Sequence, residues 1–590
     1  MQLVFDIETD DLKATKIWCI VAIDSNSDHV YSFTPDEIDK GIKLLQSADT
    51  LIGHNITGFD IPVINKLKGI NLFDSCDVID TLVLSRLFNP VREGGHSLES
   101  WGYRLKYHKD KQPEDFTQYN NAMLKYCTKD VRLNKLLFDH LKSESKGFSK
   151  ESIALEHETN KILSIQRVNG FKFNEKEAIN LLSSLNKRKR EVEEEVQKTF
   201  KPKMVDDKLV TPYVKKDGTL SKRGLTPEEY ERFNGIQQKD FKMFGKGEYN
   251  YRPFMRQKLQ HFNLGSRKQI GEYLQDFGWK PKRFTPTGQP IVDEGTLKKI
   301  NHIHEANLIA EFLLLQKRIA QIQSWVDALE DDNRVHGFVI STGTITGRMS
   351  HRYPNMAQIP SVHSPYGVEC RSCWTTDTGY NLLGIDASQL ELRMLAHYMN
   401  DEGYINEIIN GDIHTTNQKL AGLKSRDQAK TFIYALIYGA GDSKIGGIVK
   451  GSRSEGKRLR ERFLSRNPSF KSLKRRVDRA SQKGHLKGLD GRKIILRHQH
   501  AALNSLLQGG GAIVMKRGLI ILNNKLNKMG LDYKFVANIH DEWQMEVKED
   551  QSHIVGSLAV ESIRETADYY GMRCPLDAEY KVGGNWSETH

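Results

Sequence analysis

The sequence predicts a multidomain protein of α/β and α+β type, on three observations. The chain is 590 residues long, too long for one core when a domain averages about 150 residues. Its first 145 or so residues mix short apolar strand-like runs with helical segments. Its middle is mostly helical, and from about residue 336 to the end strands and helices alternate again.

In the first zone, Leu3-Val4-Phe5, residues 18–23 and Thr50-Leu51-Ile52 read as strands. In the second, Leu308, Phe312, Leu315, Ile319 and Ile322 step by four and three, the seam of a long amphipathic helix. Residues 201 to about 262 break that pattern; rich in Lys, Gly, Pro and Tyr, they read as an insertion or long surface loop. Hydrophobic residues make up 38% and charged residues 27%, the balance of a soluble globular protein. No run of 18 or more apolar residues appears, so no membrane-spanning helix is expected, and the N-terminus lacks the pattern of a secretory signal. The net charge of +12 and pI of about 9.1 favour a polyanionic partner, but basicity alone is a weak signal. The six cysteines are scattered. Cys370-Arg-Ser-Cys373 has the gap of a zinc half-site but no second pair at matching distance, so free thiols in a reducing cytoplasm are expected.

Asp6-Ile7-Glu8 follows the first strand-like run. Residues i and i+2 of a strand point to one face, so the two carboxylates stand side by side. Such a pair repels itself unless protons or hard cations neutralise it; alone it is as well read as a solvated surface pair. Two further elements change the balance. Gly53-His54-Asn55-Ile56-Thr57-Gly58-Phe59-Asp60 supplies a third acid, and Tyr126-Cys127-Thr128-Lys129-Asp130 a fourth. In a helix Tyr126 and Asp130 share a face one turn apart, the tyrosine able to orient a water while the aspartate ligates metal.

Near the other end, an apolar run 381–385 delivers Asp386, followed by Ala387-Ser388-Gln389-Leu390-Glu391. Singly, Asp386 could be a helix N-cap. Arg426, Lys430, Tyr434 and Tyr438 recur every four residues, so one helical face carries two cations and then two aromatics. Cations there suit a triphosphate and a ring suits a sugar or base, though a solvated cationic face is the plainer reading. Finally, Val536-Ala-Asn-Ile-His540-Asp541-Glu542-Trp reads as a hairpin with an acid at its turn.

Taken in order, these elements resemble two families of motifs. Asp6/Glu8, Asp60 and Tyr126/Asp130 resemble the three motifs of proofreading 3′–5′ exonucleases. The Asp386, Arg426–Tyr438 and His540–Asp541 elements resemble motifs A, B and C of the family A (Pol I-type) DNA polymerases. The resemblance implies an RNase H-like exonuclease domain at 1–145 and a right-hand polymerase after it. The thumb is expected at 146–335, with the basic insert at 201–262, the palm at 336–415 and 489–590, and the fingers at 416–488. It implies two Mg2+ per active site, with Mn2+ as a substitute. Asp386, the Ala387 carbonyl and Asp541 would hold one pair; Asp6, Glu8, Asp60 and Asp130 would hold the other, Tyr126 positioning the attacking water. Arg426, Lys430 and His414 would bind the dNTP phosphates, Tyr434 and Tyr438 would line the nucleotide, and Glu391 would exclude a ribose 2′-hydroxyl. Arg348, Gln508 and His540 would contact the primer-template. Such contacts go to groups all base pairs share, as a polymerase that copies any template requires.

Within the family the chain resembles replicative polymerases of short-tailed lytic phages, acting in the infected host's cytoplasm without a preceding 5′-nuclease domain. In a phage enzyme of that kind a thumb insert recruits host thioredoxin as a processivity factor. Here Lys201, Lys203, Lys215, Lys216, Lys222 and Arg223 with Tyr213, Tyr249 and Tyr251 leave two readings open, a thioredoxin dock or a DNA-gripping loop. A helicase-primase partner follows by analogy only.

Overall fold

The computed structural model describes the chain apart from residues 216, 218, 235–241, 245–247, 251–252 and 301. Lys216, Tyr251 and the side chain of Tyr249 in the expected insert lie outside the described residues. The chain divides into two compact units, Met1–Ala178 with Ser324–His590, and Ile179–Gln323.

The first unit opens on a five-stranded sheet. Its strands are β1 (Gln2–Thr9), β2 (Ile17–Asp24), β3 (Val30–Phe33), β4 (Thr50–Gly53) and β5 (Asp77–Asp80), in the order β3-β2-β1-β4-β5. β1 pairs antiparallel with β2 and parallel with β4. The unbroken apolar run Leu3-Val4-Phe5 is explained by cover on both faces: Leu3, Phe5 and Ile7 pack into one core cluster and Val4 into another. The second cluster includes Cys127 and Val131 of the helix α2 (Asn121–Glu144). By the two-residue period, Asp6 and Glu8 continue the Val4 side and so face α2. A short helix α1 (Asp60–Lys68) follows β4, and α3 (Lys150–Asn169) follows α2.

The second unit holds most of the helix His304–Val326, as the seam predicts. Leu308, Phe312, Leu315 and Ile322 are buried; Ile319 is half-buried, and Arg318 beside it is buried instead. The 201–262 segment departs from a plain loop. β6 (Lys203–Val210) and β7 (Phe254–Gln260) form an antiparallel ribbon, and Val214 and Leu220 make a small core with Leu225, Tyr230 and Phe233.

The C-terminal part of the first unit is built on β10 (Tyr380–Ala387), β11 (Tyr533–Ile539), β12 (Glu542–Lys548) and β13 (Ala578–Gly583), ordered β11-β12-β10-β13. A smaller ladder, β8 (Phe338–Ile340) with β9 (Ser350–Arg352), carries the loop that ends in Arg348. Around these lie α4 (Leu390–Met399), α5 (Ile413–Ala421), α6 (Arg426–Ile437), α7 (Ala502–Met529) and α8 (Ser552–Tyr569). Gly509, Gly510 and Gly511 sit mid-helix in α7, where glycine costs about 1 kcal/mol against alanine. A Cβ at Gly510 would lie 2.4 Å from Met394 Cε and one at Gly511 3.3 Å from Leu390 Cδ2, so the bare backbone lets α4 approach. Among the described residues, one helix, spanning 499–529, is long and apolar enough by length and composition to cross a membrane. That window is 83% buried inside the fold, the state of a core helix.

Candidate active sites

Asp386 is the seventh residue of β10, paired with Glu542 on one side and Glu579 on the other. β11 and β12 are joined by a two-residue turn, His540-Asp541, and Ala387 N donates to Asp541 O at 3.0 Å. That bond ties the end of β10 to the turn and sets the two aspartates together. The backbone is strained on both sides: His540 has φ +57° and Gln389, capping α4, φ +51°, a conformation that non-glycine residues hold at functional sites. The Asp386 side chain is exposed at the strand end, yet partial desolvation first, then the charges of Asp541 and Glu542, push its carboxyl up to about 7. Burial also raises Asp541, against the pull of Arg348 and His540.

Glu391, on the first turn of α4, has both oxygens engaged: Arg348 Nη2 donates to one at 3.0 Å and Tyr438 Oη to the other at 2.7 Å. Tyr438 rather than Tyr434 is thus its hydrogen-bond partner; Tyr434 lies 6.3 Å away, ring to ring, from Tyr438. α6 buries Ala429, Phe432, Ile433 and Leu436 and leaves Arg426 and Lys430 exposed. Arg426 Nε pairs with Asp412 at 2.7 Å, while Lys430 has no polar partner among the described residues. His414 starts α5 with its ring 6.5 Å from Tyr434. Burial, then Arg426, lower its pKa, so it stands neutral with Nδ1 unpartnered. Gln508 is half-buried on α7.

The Arg348 loop hangs from a buried cluster that the sequence did not suggest. Glu156 of α3 lies 2.6 Å from both Lys516 Nζ and Arg492 Nη1, and Arg492 pairs with Asp490 at 2.6 Å. Lys516 Nζ also donates to Gly347 O at 2.9 Å, directly before Arg348. All four side chains are at most 4% exposed.

The second site is at the N-terminal sheet. Asp6 and Glu8 stand on β1, with a β-bulge at Glu8/Thr9. Asp60 opens α1 and accepts from Ile7 N at 3.2 Å; Tyr126 and Asp130 lie one turn apart on α2. Asp6, Glu8 and Cys127 offer ligand atoms within 4.8 Å of one another. Burial raises all four acids, joined by mutual repulsion at Asp6 and Glu8. Glu8 reaches about 8 and Asp60 about 7. Asp130 Oδ1 is buried with no partner, while its Oδ2 lies 2.5 Å from Lys109 Nζ. Two residues here escaped the sequence reading. Lys109 comes from an aperiodic loop. Asp80 accepts from Asn55 N (2.9 Å), Thr57 N (3.1 Å) and Thr57 Oγ1 (2.6 Å), holding the turn that delivers Asp60; Asn55 there has φ +68°.

Both donor sets consist of carboxylates that resist ionisation without a counter-charge, and one contains a buried carboxylate oxygen with no hydrogen-bond partner; they fit hard divalent cations such as Mg2+. The sign follows from the raised values. An acid whose folded pKa exceeds its unfolded one (3.8 for Asp, 4.5 for Glu) carries a penalty that is absent below the unfolded value and complete above the folded one. Mg2+ relieves that penalty by binding the ionised form. The rise in Tm given by saturating Mg2+ over EDTA is therefore expected to grow as pH rises from about 5 to about 8. An increment that stays flat across that range, read by differential scanning fluorimetry, contradicts the assignment of these acids to cation sites.

Paired carboxylates at the end of a central strand and in the turn beside it, near a helix presenting an arginine, a lysine and two tyrosines, are equipment for phosphoryl transfer to or from nucleotides. The comparisons agree. A model of DNA polymerase family A matches residues 249–588. The DNA-directed DNA polymerases of Enterobacteria phage T3 and Escherichia phage T7 are each 33% identical to this chain, over the whole of both chains. DNA polymerase I of Pseudomonas aeruginosa is 29% identical over 56% of this chain and 39% of its own length. Among solved structures, the POL domain of Pol1 from M. smegmatis, in complex with DNA primer-template and dNTP, has a TM-score of 0.77 at 18% identity. It covers 100% of this chain and 95% of that one, a likeness of fold. The chain belongs to DNA polymerase family A.

Proposed function

We propose that this family A DNA polymerase is a phage-type replicative enzyme that extends a primer 3′-end at Asp386 and Asp541 and degrades mispaired 3′-ends at Asp6, Glu8, Asp60 and Asp130. The observation that carries the reading is the presence of two separate sets of mutually repelling carboxylates with raised pKa values, each beside groups suited to a nucleotide. The domain plan is an RNase H-like domain at 1–145, a thumb at 146–335, fingers at 416–488 and a palm at 336–415 and 489–590. The mixed parallel and antiparallel sheet β3-β2-β1-β4-β5 supports the first of these.

Two Mg2+ ions per site, or Mn2+ in their place, would activate the attacking oxygen and neutralise charge on the leaving one. Asp386, the Ala387 carbonyl and Asp541 would hold the synthetic pair. Lys430 and Arg426, the latter freed from Asp412, bind the triphosphate, and neutral His414 donates to it. Tyr434 lies against the incoming sugar and base. Glu391, immobilised by Arg348 and Tyr438, fills the space a 2′-hydroxyl would need, so deoxynucleotides are selected. Arg348, Gln508 and His540 read the minor groove of the terminal pair, consistent with the primer-template and dNTP held by the M. smegmatis relative in fold. In the degradative site Tyr126 orients a water; its oxygen bonds to phosphorus, the P–O3′ bond breaks, and the proton ends on the 3′-oxygen.

The insert is assigned to a thioredoxin-like processivity factor, with the enzyme working beside a helicase-primase in the cytoplasm of an infected host. On the ribbon the cross-strand pairs Leu209/Met255 and Met204/Leu259 leave all four side chains between 46% and 64% exposed, an apolar surface that favours a docked protein over a purely DNA-gripping loop.

One assay tests these readings: extension of a long primed single strand with a mispaired terminus, with and without thioredoxin. Release of the mispaired nucleotide before extension, and longer products with thioredoxin, are expected. Extension that never removes the mispair sinks the proofreading reading, and unchanged product length sinks the partner.

A further inference from the structure

The loop from 106 to 120 joins the helix Leu98–Arg104 to α2, and its first turn is pinned around one lysine. Lys106 has φ +56°, and Tyr107 N donates to Gly102 O at 2.9 Å. Gly102 is bare of necessity: a Cβ there would lie 2.8 Å from Tyr107 O and 3.5 Å from Lys109 N. On the far side Lys129 forms an ion pair with Asp110 and lies 5.9 Å from the Tyr107 ring centre. Lys109 is thereby delivered into the acidic site. Its Nζ is 2.5 Å from Asp130 Oδ2 and 4.8 Å from the centre of the Tyr126 ring, within electrostatic reach of the phenol.

We infer that Lys109 is a positioning residue of the 3′–5′ degradative site, fixing which oxygen of Asp130 and which side of the Tyr126 hydroxyl are left for the reaction. This rests on the exonuclease reading above. An ammonium is a donor only, whereas a phenol both donates and accepts. With the Lys109 ammonium beside the ring, a Tyr126 O–H turned toward it is disfavoured, so the O–H points away and can donate to the attacking water. With Lys109 on Oδ2, the buried, partnerless Oδ1 of Asp130 is the oxygen left for a cation. Without the lysine, the Tyr126 hydroxyl would turn to a carboxylate, with Asp130 and Glu8 both within electrostatic reach, and the water would lose its guide.

The rival role is charge alone, one cation offsetting four acids. The two roles separate in a double-mutant cycle. Lys109→Met, Tyr126→Phe and the double variant are compared in single-turnover 3′-end hydrolysis at saturating Mg2+. Mn2+ binding at this site is read by EPR in an Asp386→Ala/Asp541→Ala background, and primer extension by the same variants with Asp386 and Asp541 intact serves as the control for folding. Lys109→Met is expected to lower the maximal rate about 10- to 100-fold, the usual cost of losing a group that orients metal ligands, with extension unchanged. Because the lysine acts through the tyrosine as well as through Asp130, adding Lys109→Met to Tyr126→Phe is expected to slow the reaction by less than Lys109→Met does alone. Mn2+ affinity is expected not to weaken, since a competing positive charge is removed. Lys109→Arg, whose longer donor fork reaches the same acceptors, is expected to recover part of the rate. Additive effects in the cycle, an unchanged rate, or a loss fully explained by weaker Mn2+ binding overturns the inference. A wild-type enzyme that degrades no 3′-end overturns the exonuclease reading instead.

Discussion

Alanine at Asp386 is expected to lower primer extension by about 10³-fold or more, a barrier increase of roughly 4 kcal/mol, while 3′-end degradation continues at the wild-type rate. Glu542, the cross-strand partner of Asp386, already accepts from Trp586 Nε1 at 2.6 Å and Gln544 Nε2 at 2.7 Å. The fold should not suffer: the bond from Ala387 N to Asp541 O is a backbone bond, and removing a carboxyl that resists ionisation relieves strain. Tm in EDTA is therefore expected to be unchanged or higher, which separates lost chemistry from lost structure. The double variant Asp6→Ala/Glu8→Ala is expected to behave in reverse, extending primers but no longer shortening them. Persistent extension by Asp386→Ala would remove the central assignment.

The second large effect concerns stability. Replacing Lys516 by methionine keeps the volume but leaves Glu156, Asp490 and Arg492 with one uncompensated negative charge in a site at most 4% exposed. Breaking a buried ion cluster by removing one partner costs about 3–5 kcal/mol. Burial lowers Lys516 to about 8, with Glu156 opposing, and burial raises Glu156 before Lys516 and Arg492 bring it down to about 2. The lysine is thus the member least suited to its surroundings and the one whose charge the others need. Denaturant unfolding of Lys516→Met is expected to show the loss, and adding Glu156→Gln is expected to return part of it by restoring neutrality. A change below about 1 kcal/mol would mean that water reaches the cluster. Because Lys516 also holds Gly347 O, the variant is expected to weaken the grip of Arg348 on Glu391.

The sequence exposes what is periodic. Asp6 and Glu8 share a face because strands repeat every two residues, and Arg426, Lys430, Tyr434 and Tyr438 share one because helices nearly repeat every four. The hairpin at His540-Asp541 is legible from the apolar runs around it. Lys109 is not legible, because it reaches Asp130 from a loop whose course is set by Gly102 and Lys129. Asp80 is not either, since its task is to accept backbone N–H groups, which leaves no mark on composition. The ribbon β6/β7 is hidden because Lys203-Met-Val-Asp-Asp-Lys-Leu-Val does not alternate cleanly between apolar and polar. Glu156, Arg492 and Lys516 are hundreds of residues apart in part, and only the folded core brings them together.

The Glu156 cluster also decides how the chain can be divided. The expected boundary between the degradative and synthetic halves falls near residue 145, eleven residues before Glu156 in the numbering. A polymerase fragment starting there keeps α3 and with it the anion that Lys516 and Arg492 require. One trimmed past α3 would bury two cations against Asp490 alone. The divisibility of this enzyme is therefore set by a glutamate, and the shortest autonomous synthetic fragment is expected to begin before Lys150, where α3 starts.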